Sequence, residues 1–241
     1  GPVARKASAY FESRPLDGFD VEESRKRALA LRSVGDVEKA EGDLQGATAR
    51  YREAIAALEG ALLRDPGNAE VRKNLATSVS ALAIAALVGE DKPLALAEAE
   101  RSVGLRREFA ARHPEDPDND MMLGSGLTLL ANVRRASRML DDAVAGYGEA
   151  IGHLDRHVAA NPSSVVGRRE LAIAHQNLAE ALRLQGDAEG AIRERKSGLA
   201  IFESLLADEP GNRYWREQIA TTRHGLAMIL RGQKRIVDAI G

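Results

Sequence analysis

Four prolines, Pro66, Pro114, Pro162 and Pro210, stand 48 residues apart, each inside a short polar link: Asp65-Pro66-Gly67-Asn68, His113-Pro114-Glu115-Asp116, Asn161-Pro162-Ser163-Ser164 and Glu209-Pro210-Gly211-Asn212. A fixed period of this size marks stacked structural repeats, in which each unit buries its apolar face against its neighbours. It argues against an enzyme with one enclosed active site. The period divides the chain into units of about 20–65, 68–113, 116–161 and 164–209 and an incomplete 212–241, after a lead-in helix and loop over 1–19.

The chain is rich in Ala, Leu, Arg and Glu and only 4% aromatic. Ala and the straight-chain residues lose least on entering a helix, whereas strands want Val, Ile, Thr and aromatics, so an all-α fold is expected. Aligned on the prolines, Leu75, Leu123, Leu171 and Ile219 recur nine places on, and Leu82, Leu130, Leu178 and Leu226 sixteen places on. A spacing of seven keeps both sets on one helix face. Beside the second set stand Ala83, Ala131, Ala179 and Ala227, small enough for a second helix to approach closely. These residues define helix A of each unit. Helix B follows a break (Val88-Gly89-Glu90-Asp91, Gln185-Gly186-Asp187) and carries Ala95, Ala143, Ala191 and Ala239, then apolar residues at three- and four-residue steps. Residues 20–65 keep the register without a proline, with the break at Gly42-Asp43. Asp20, Asn68, Asp116, Ser164 and Asn212 occupy the start of each helix A, where their side chains are expected to accept backbone N–H bonds, and Asp20 with Glu23 forms a capping-box pattern.

Val34-Gly35, Gly42-Asp43, Ala47, Tyr51 and Ala54 resemble the tetratricopeptide repeat (TPR) signature, and much of it returns in Ala131, Ala143, Tyr147 and Ala150 and in Leu178-Ala179, Gly186-Asp187 and Ala191. The likeness covers residues 20–241 and implies a right-handed superhelical solenoid of antiparallel helix pairs. The TPR unit is about 34 residues long. Fourteen further residues are about four helical turns, so two turns added to each helix lengthen both while keeping the same faces together. Long units with such a link are similar to the C-terminal repeat regions of large bacterial multidomain proteins, including some eukaryote-like Ser/Thr kinases. A HEAT-like array fits the period but not the Gly-Asp/Ala/Tyr/Ala spacing. Gly1-Pro2 has the form of a protease scar, which makes a piece of a longer protein the expectation, a natural processed start being the alternative.

A net charge of −2 gives no general pull toward nucleic acid or an acidic membrane. The absence of Cys excludes disulfides and thiolate metal sites without separating cytosol from periplasm. No apolar run reaches the roughly 18 residues of a bilayer span, so no membrane insertion is expected. No phosphate-binding glycine loop, His-Glu-x-x-His or Gly-x-Ser-x-Gly motif occurs, and no catalytic, cofactor or metal residues are assigned. His153 and His157 lie one turn apart but lack a third ligand, and they occupy places that hold apolar residues in the other units, so packing is their expected role, a pH-sensitive contact being a second reading.

The TPR likeness places helix A on the concave groove, and register then names the groove side chains. One row is Arg32, Ser80, Thr128, Gln176 and His224; the next is Asp36, Ile84, Asn132, Glu180 and Met228; the third is Lys39, Leu87, Arg135, Arg183 and Arg231. The candidate partner-binding residues are Arg32, Lys39, Asn132, Arg135, Gln176, Arg183, His224 and Arg231. Three arginines in one row suit an acidic or phosphorylated peptide, because a guanidinium holds either group through two parallel hydrogen bonds. Arginines late in a helix also favour its dipole and can simply remain solvated. A chaperone-type carboxylate clamp is not expected, since Thr128, Thr221 and Gly225 replace its basic residues beside Asn132 and Asn177. The expected role is a non-catalytic protein–protein interaction module of a larger bacterial regulatory or signalling protein. The alternative is self-association through the last unit, whose Leu226, Ile229, Leu230, Ile236 and Ile240 are expected to lack the partner that earlier units have.

Overall fold

The structure, a computed structural model, describes residues 20–232. The lead-in expected over 1–19, and Ile236, Ala239 and Ile240, lie outside the described residues. Among the described residues nine α-helices and no strand occur: α1 (Val21–Glu41), α2 (Leu44–Arg64), α3 (Ala69–Val88), α4 (Lys92–Arg112), α5 (Asn119–Ala136), α6 (Leu140–Ala160), α7 (Val165–Gln185), α8 (Ala188–Asp208) and α9 (Arg213–Gly232). Odd-numbered helices are the helices A of the sequence pattern and even-numbered ones the helices B. Among the described residues contacts cluster into two compact units, one of α1–α4 up to Asp116 and one of α5–α9 from Pro117.

Two kinds of connection alternate, and both repeat at the sequence period. At each proline link the residue two after proline donates its N–H to the carbonyl just before it: Asn68 to Asp65, Asp116 to His113, Ser164 to Asn161 and Asn212 to Glu209. These are four-residue turns with proline in the second place, where its fixed φ is already suitable. The tight turn inside each pair is a Schellman motif, with one N–H reaching back three residues and the next reaching back five: Gly42 to Lys39 and Asp43 to Glu38, Glu90 to Leu87 and Asp91 to Ala86, Arg138 to Arg135 and Met139 to Arg134, Gly186 to Arg183 and Asp187 to Leu182. Its left-handed residue is glycine at Gly42 and Gly186, but Glu90 (φ 61°) and Arg138 (φ 65°) in the other two copies.

Capping follows the sequence expectation at four of five helix starts. The Asp20 and Glu23 capping box closes at 2.7 and 3.3 Å. Asn68 accepts from Val71 N at 3.0 Å, Ser164 from Gly167 N at 3.0 Å, and Asn212 from Tyr214 N at 2.9 Å. Asp116 departs from the pattern. Pro117 and Asp118 form a further turn, α5 begins at Asn119, and the Asp116 carboxylate lies 2.6 Å from Lys73 Nζ instead.

The two apolar stripes of helix A are buried as the spacing requires, except that Leu226 is half-buried. In the first unit Leu31, Tyr51, Leu58, Val71 and Val79 are at most 1% exposed in one cluster. In the second, Leu154 packs on Leu171 and Ala174, and Phe202 packs on Trp215 with ring centroids 6.1 Å apart. Small residues set the approach of the paired helices. A Cβ on Gly35 would lie 2.8 Å from the Tyr51 ring, and one on Gly124 only 2.5 Å from Leu154 Cγ.

Two sequence expectations need correction. Helix α3 does reach the length and composition of a bilayer span, with a mean hydropathy of 1.3 over its best 18 residues, but 61% of that window is buried because the helix packs between α2 and α4. Secondly, of the five residues named as uncovered in the C-terminal unit, the three that lie among the described residues are covered. Ile229 and Leu230 are 6% and 2% exposed against Ala179, Ala191 and Ile192, and Leu226 packs on the same cluster, because α9 stacks on α8.

Candidate functional site

The helix-A residues of the first unit form one small polar group. Lys39 Nζ lies 3.4 Å from Asp36 Oδ1 and 5.7 Å from the Tyr51 ring centre. The fully buried Tyr51 donates its hydroxyl to Asp36 at 2.7 Å from α2, and burial followed by this carboxylate raises the phenol pKa. Arg32, one turn earlier, is half-buried; burial lowers its pKa, against the opposing charge of Asp36. Lys39 and Arg32 thus share the neighbourhood of one carboxylate.

The same positions in the second unit are richer. Tyr147, fully buried on α6, donates its hydroxyl to Asn132 Oδ1 at 2.6 Å, and Arg135 Nε reaches that hydroxyl at 3.4 Å. Burial raises the Tyr147 pKa and the Arg135 charge opposes the rise. On α7, Arg183 holds Glu180 through two bonds of 2.9 and 2.7 Å. Arg195 of α8 approaches the same carboxylate to 3.7 Å. The Arg183 hydrogen bonds lower the Glu180 pKa against the effect of burial, and the charges of Arg183, Arg195 and Arg135 lower it further. Asn132, Arg135 and Arg183 therefore come together, around Tyr147 and Glu180. Gln176 donates to Thr222 Oγ1 across α7 and α9, while His224 and Arg231 are exposed on α9 and take no part in this group.

Arg195 is the member that sequence reasoning missed. It occupies the register position of Tyr51 and Tyr147, one place where the apolar or aromatic pattern lapses, and that lapse was the available signal. Its side chain is only 13% exposed, burial lowers its pKa, and its Nε is buried without a hydrogen-bond partner. A second such lapse is Arg106, at the place of Leu58, Leu154 and Phe202, which donates to Ser102 Oγ at 3.3 Å and Ser80 Oγ at 3.2 Å.

The two histidines of α6 have separate surroundings. His153 Nδ1 lies 2.6 Å from Asp120 Oδ1, which Arg156 also contacts at 2.9 Å. Burial raises the Asp120 pKa, but these hydrogen bonds outweigh it and the net shift is downward. His157 is 5% exposed, with Nε2 3.4 Å from Ser164 Oγ. Among the described residues no group of three or more His, Cys, Asp or Glu side chains is placed to hold a metal.

No family model matches the chain. No curated protein matches it either. Solved structures do. BtubC (BKLC) from P. vanneervenii is similar over 99% of this chain and 84% of its own, with a TM-score of 0.75 at 19% identity. A kinesin light chain with TPR-like repeats from Podosopora anserina is similar over 88% of this chain and 89% of its own, with a TM-score of 0.64 at 16% identity. The Rap conjugation regulator of plasmid pLS20, solved with the Phr* peptide, gives a TM-score of 0.58 at 15% identity over 91% of this chain and 51% of its own. At such identities the likeness establishes architecture, and the architecture is that of TPR-like helical repeats with elongated helices.

Proposed function

We propose that this chain is a non-catalytic module that binds a peptide or partner helix of a protein on the exposed faces of its helices A, as part of a larger bacterial regulatory or signalling protein. The observation that carries the reading is the polar group Asn132, Arg135, Glu180 and Arg183, which lies half-exposed to exposed at equivalent places of successive repeats. Hydrogen-bonding side chains fixed on rigid helices at a regular interval suit an extended chain with groups at a matching interval. The Rap regulator, of similar architecture, was solved with a peptide bound. The ligand chemistry is acidic, because the cations of this face outnumber its anions.

The test is fluorescence polarisation with labelled acidic, phosphoserine-containing, basic and apolar peptides. The protein should prefer the acidic or phosphorylated class, with affinity falling as salt rises. The triple change Arg135→Glu, Arg183→Glu and Arg231→Glu should lose at least about tenfold, the scale of one charge-assisted contact. Unchanged affinity and salt dependence in the triple variant would overturn the reading.

A further inference from the structure

Glu180 is surrounded by more positive charge than it can neutralise. Arg183 on α7 bonds its carboxylate at 2.9 and 2.7 Å, Arg195 on α8 approaches it to 3.7 Å, and Arg135 on α5, 3.4 Å from the neighbouring Tyr147 hydroxyl, is near enough for its charge to lower the Glu180 pKa. Arg183 and Arg195 are also close enough to each other for the Arg183 charge to lower the Arg195 pKa. Like charges brought together this way are stabilised by an anion, and one carboxylate leaves two positive charges over. Arg195 is moreover held in place. Its guanidinium lies on the α9 backbone at Gly225, where a Cβ would stand 2.6 Å from Cζ, and its buried Nε has no acceptor. The Glu180 and Arg183 side chains are 30% and 45% exposed, so the cluster opens to solvent.

We infer that Arg135, Arg183 and Arg195 form a binding site for a phosphoryl dianion, and that Glu180 is its internal occupant, displaced when the ligand arrives. This deepens the peptide-binding reading and rests on it. A dianion is favoured over a carboxylate for a definite reason. An incoming carboxylate only exchanges one negative charge for another, and Glu180, tethered three residues from Arg183, competes at high effective concentration. A phosphoryl group brings close to two negative charges and three acceptor oxygens, enough to engage more than one guanidinium at once. A phosphoserine peptide is the chemistry that presents such a group on an extended chain.

The experiment compares the native protein, Glu180→Gln and the double variant Glu180→Gln/Arg183→Gln. Each is titrated calorimetrically with inorganic phosphate and with a Gly/Ser-flanked phosphoserine peptide, the serine and aspartate versions serving as controls. Removing the internal carboxylate should tighten phosphate and phosphoserine peptide by about tenfold, and the double variant should lose that gain. Phosphoserine should exceed aspartate, and affinity should rise with pH through about 6 as the second phosphate proton leaves. Arg183 is exposed, so its loss does not endanger the fold, and helical circular dichroism checks each variant. Glu180→Gln binding no more tightly than native overturns the inference, as does a gain that survives loss of Arg183. A peptide that binds the native protein and is lost in the triple arginine variant, while Glu180→Gln gains nothing, sinks this inference and leaves the peptide-binding reading standing.

Discussion

Gly124→Ala is expected to destabilise the second unit by about 2 kcal/mol, although alanine is the better helix former by about 1 kcal/mol. The reason is a close approach of α5 to α6. A Cβ at 124 would sit 2.5 Å from Leu154 Cγ, 2.9 Å from its Cδ2 and 3.1 Å from the Ala150 carbonyl oxygen. Leu154 cannot retreat, because it is fully buried against Leu171 and Ala174. Overpacking of this kind costs about 1–3 kcal/mol, and here the clash meets a branch carbon and a main-chain atom, which places it at the upper end before the propensity gain is subtracted. The control is Gly148→Ala on α6, where nothing lies within 4 Å of the new Cβ. That variant should be stabilised by up to about 1 kcal/mol. Urea unfolding of both separates packing from propensity: midpoints shifting in opposite directions support the close approach, and a stabilised Gly124→Ala removes it.

Legibility followed the number of independent signals per feature. The proline links, the Leu and Ala stripes and the caps all recur at 48 residues, so helix order and register could be read before any coordinates. The Schellman turn was legible at Gly42-Asp43 and Gly186-Asp187, where glycine and the capping aspartate both stand. It was hidden at Arg138-Met139, which has neither residue; the fold imposes the turn there because the helices on each side must still pair. Asp116 misled for the opposite reason. Its position was right for a cap, but the following Pro117-Asp118 turn delays the helix by two residues. Leu226, Ile229 and Leu230 were misjudged because they were counted as unpartnered for want of a following helix, whereas α8 and α7 cover them from the other side.

The candidate site was legible as rows and not as contacts. Register placed Asn132, Arg135 and Arg183 on one face, yet which charges neutralise which depends on side chains arriving from helix B, and these were treated as core. Tyr147 and Arg195 come from there. Glu180 stood in the second row without being weighed, though three residues before Arg183 on a helix is close enough for the pair to bond. The arginine row therefore divides in the structure: Arg183 is held by Glu180, Arg135 reaches Tyr147, and Arg231 stands on an exposed turn of α9.

Arg138→Gly combined with Met139→Asn should stabilise the protein by about 2 kcal/mol, about 1 from each change. Arg138 has φ 65°, the left-handed region that Gly42 and Gly186 occupy at the equivalent turns. An L side chain there costs about 1–2 kcal/mol, partly returned by the lower unfolded-state entropy that arginine has relative to glycine. Met139 is the N-cap of α6 without a side-chain acceptor, while its counterparts Asp43, Asp91 and Asp187 accept from Gly46, Leu94 and Gly190 N–H groups at 2.8, 3.1 and 2.8 Å. The backbone is already suitable, since Met139 has φ −83° and ψ 67° against φ −80° and ψ 80° at Asp43 and Asp187. Asparagine is chosen over aspartate because Asp141 and Asp142 already fill the first turn, and a third carboxylate would repel them. The two gains arise from different sources, relief of backbone strain and satisfaction of an N–H, but the residues are adjacent in one turn, so the double variant measures their coupling as well as their sum. Urea midpoints of the two singles and the double test this directly. A Met139→Asn that gains nothing would mean that water already satisfies the α6 start, and an Arg138→Gly that destabilises would mean that the arginine side chain contributes more at this turn than its backbone conformation costs.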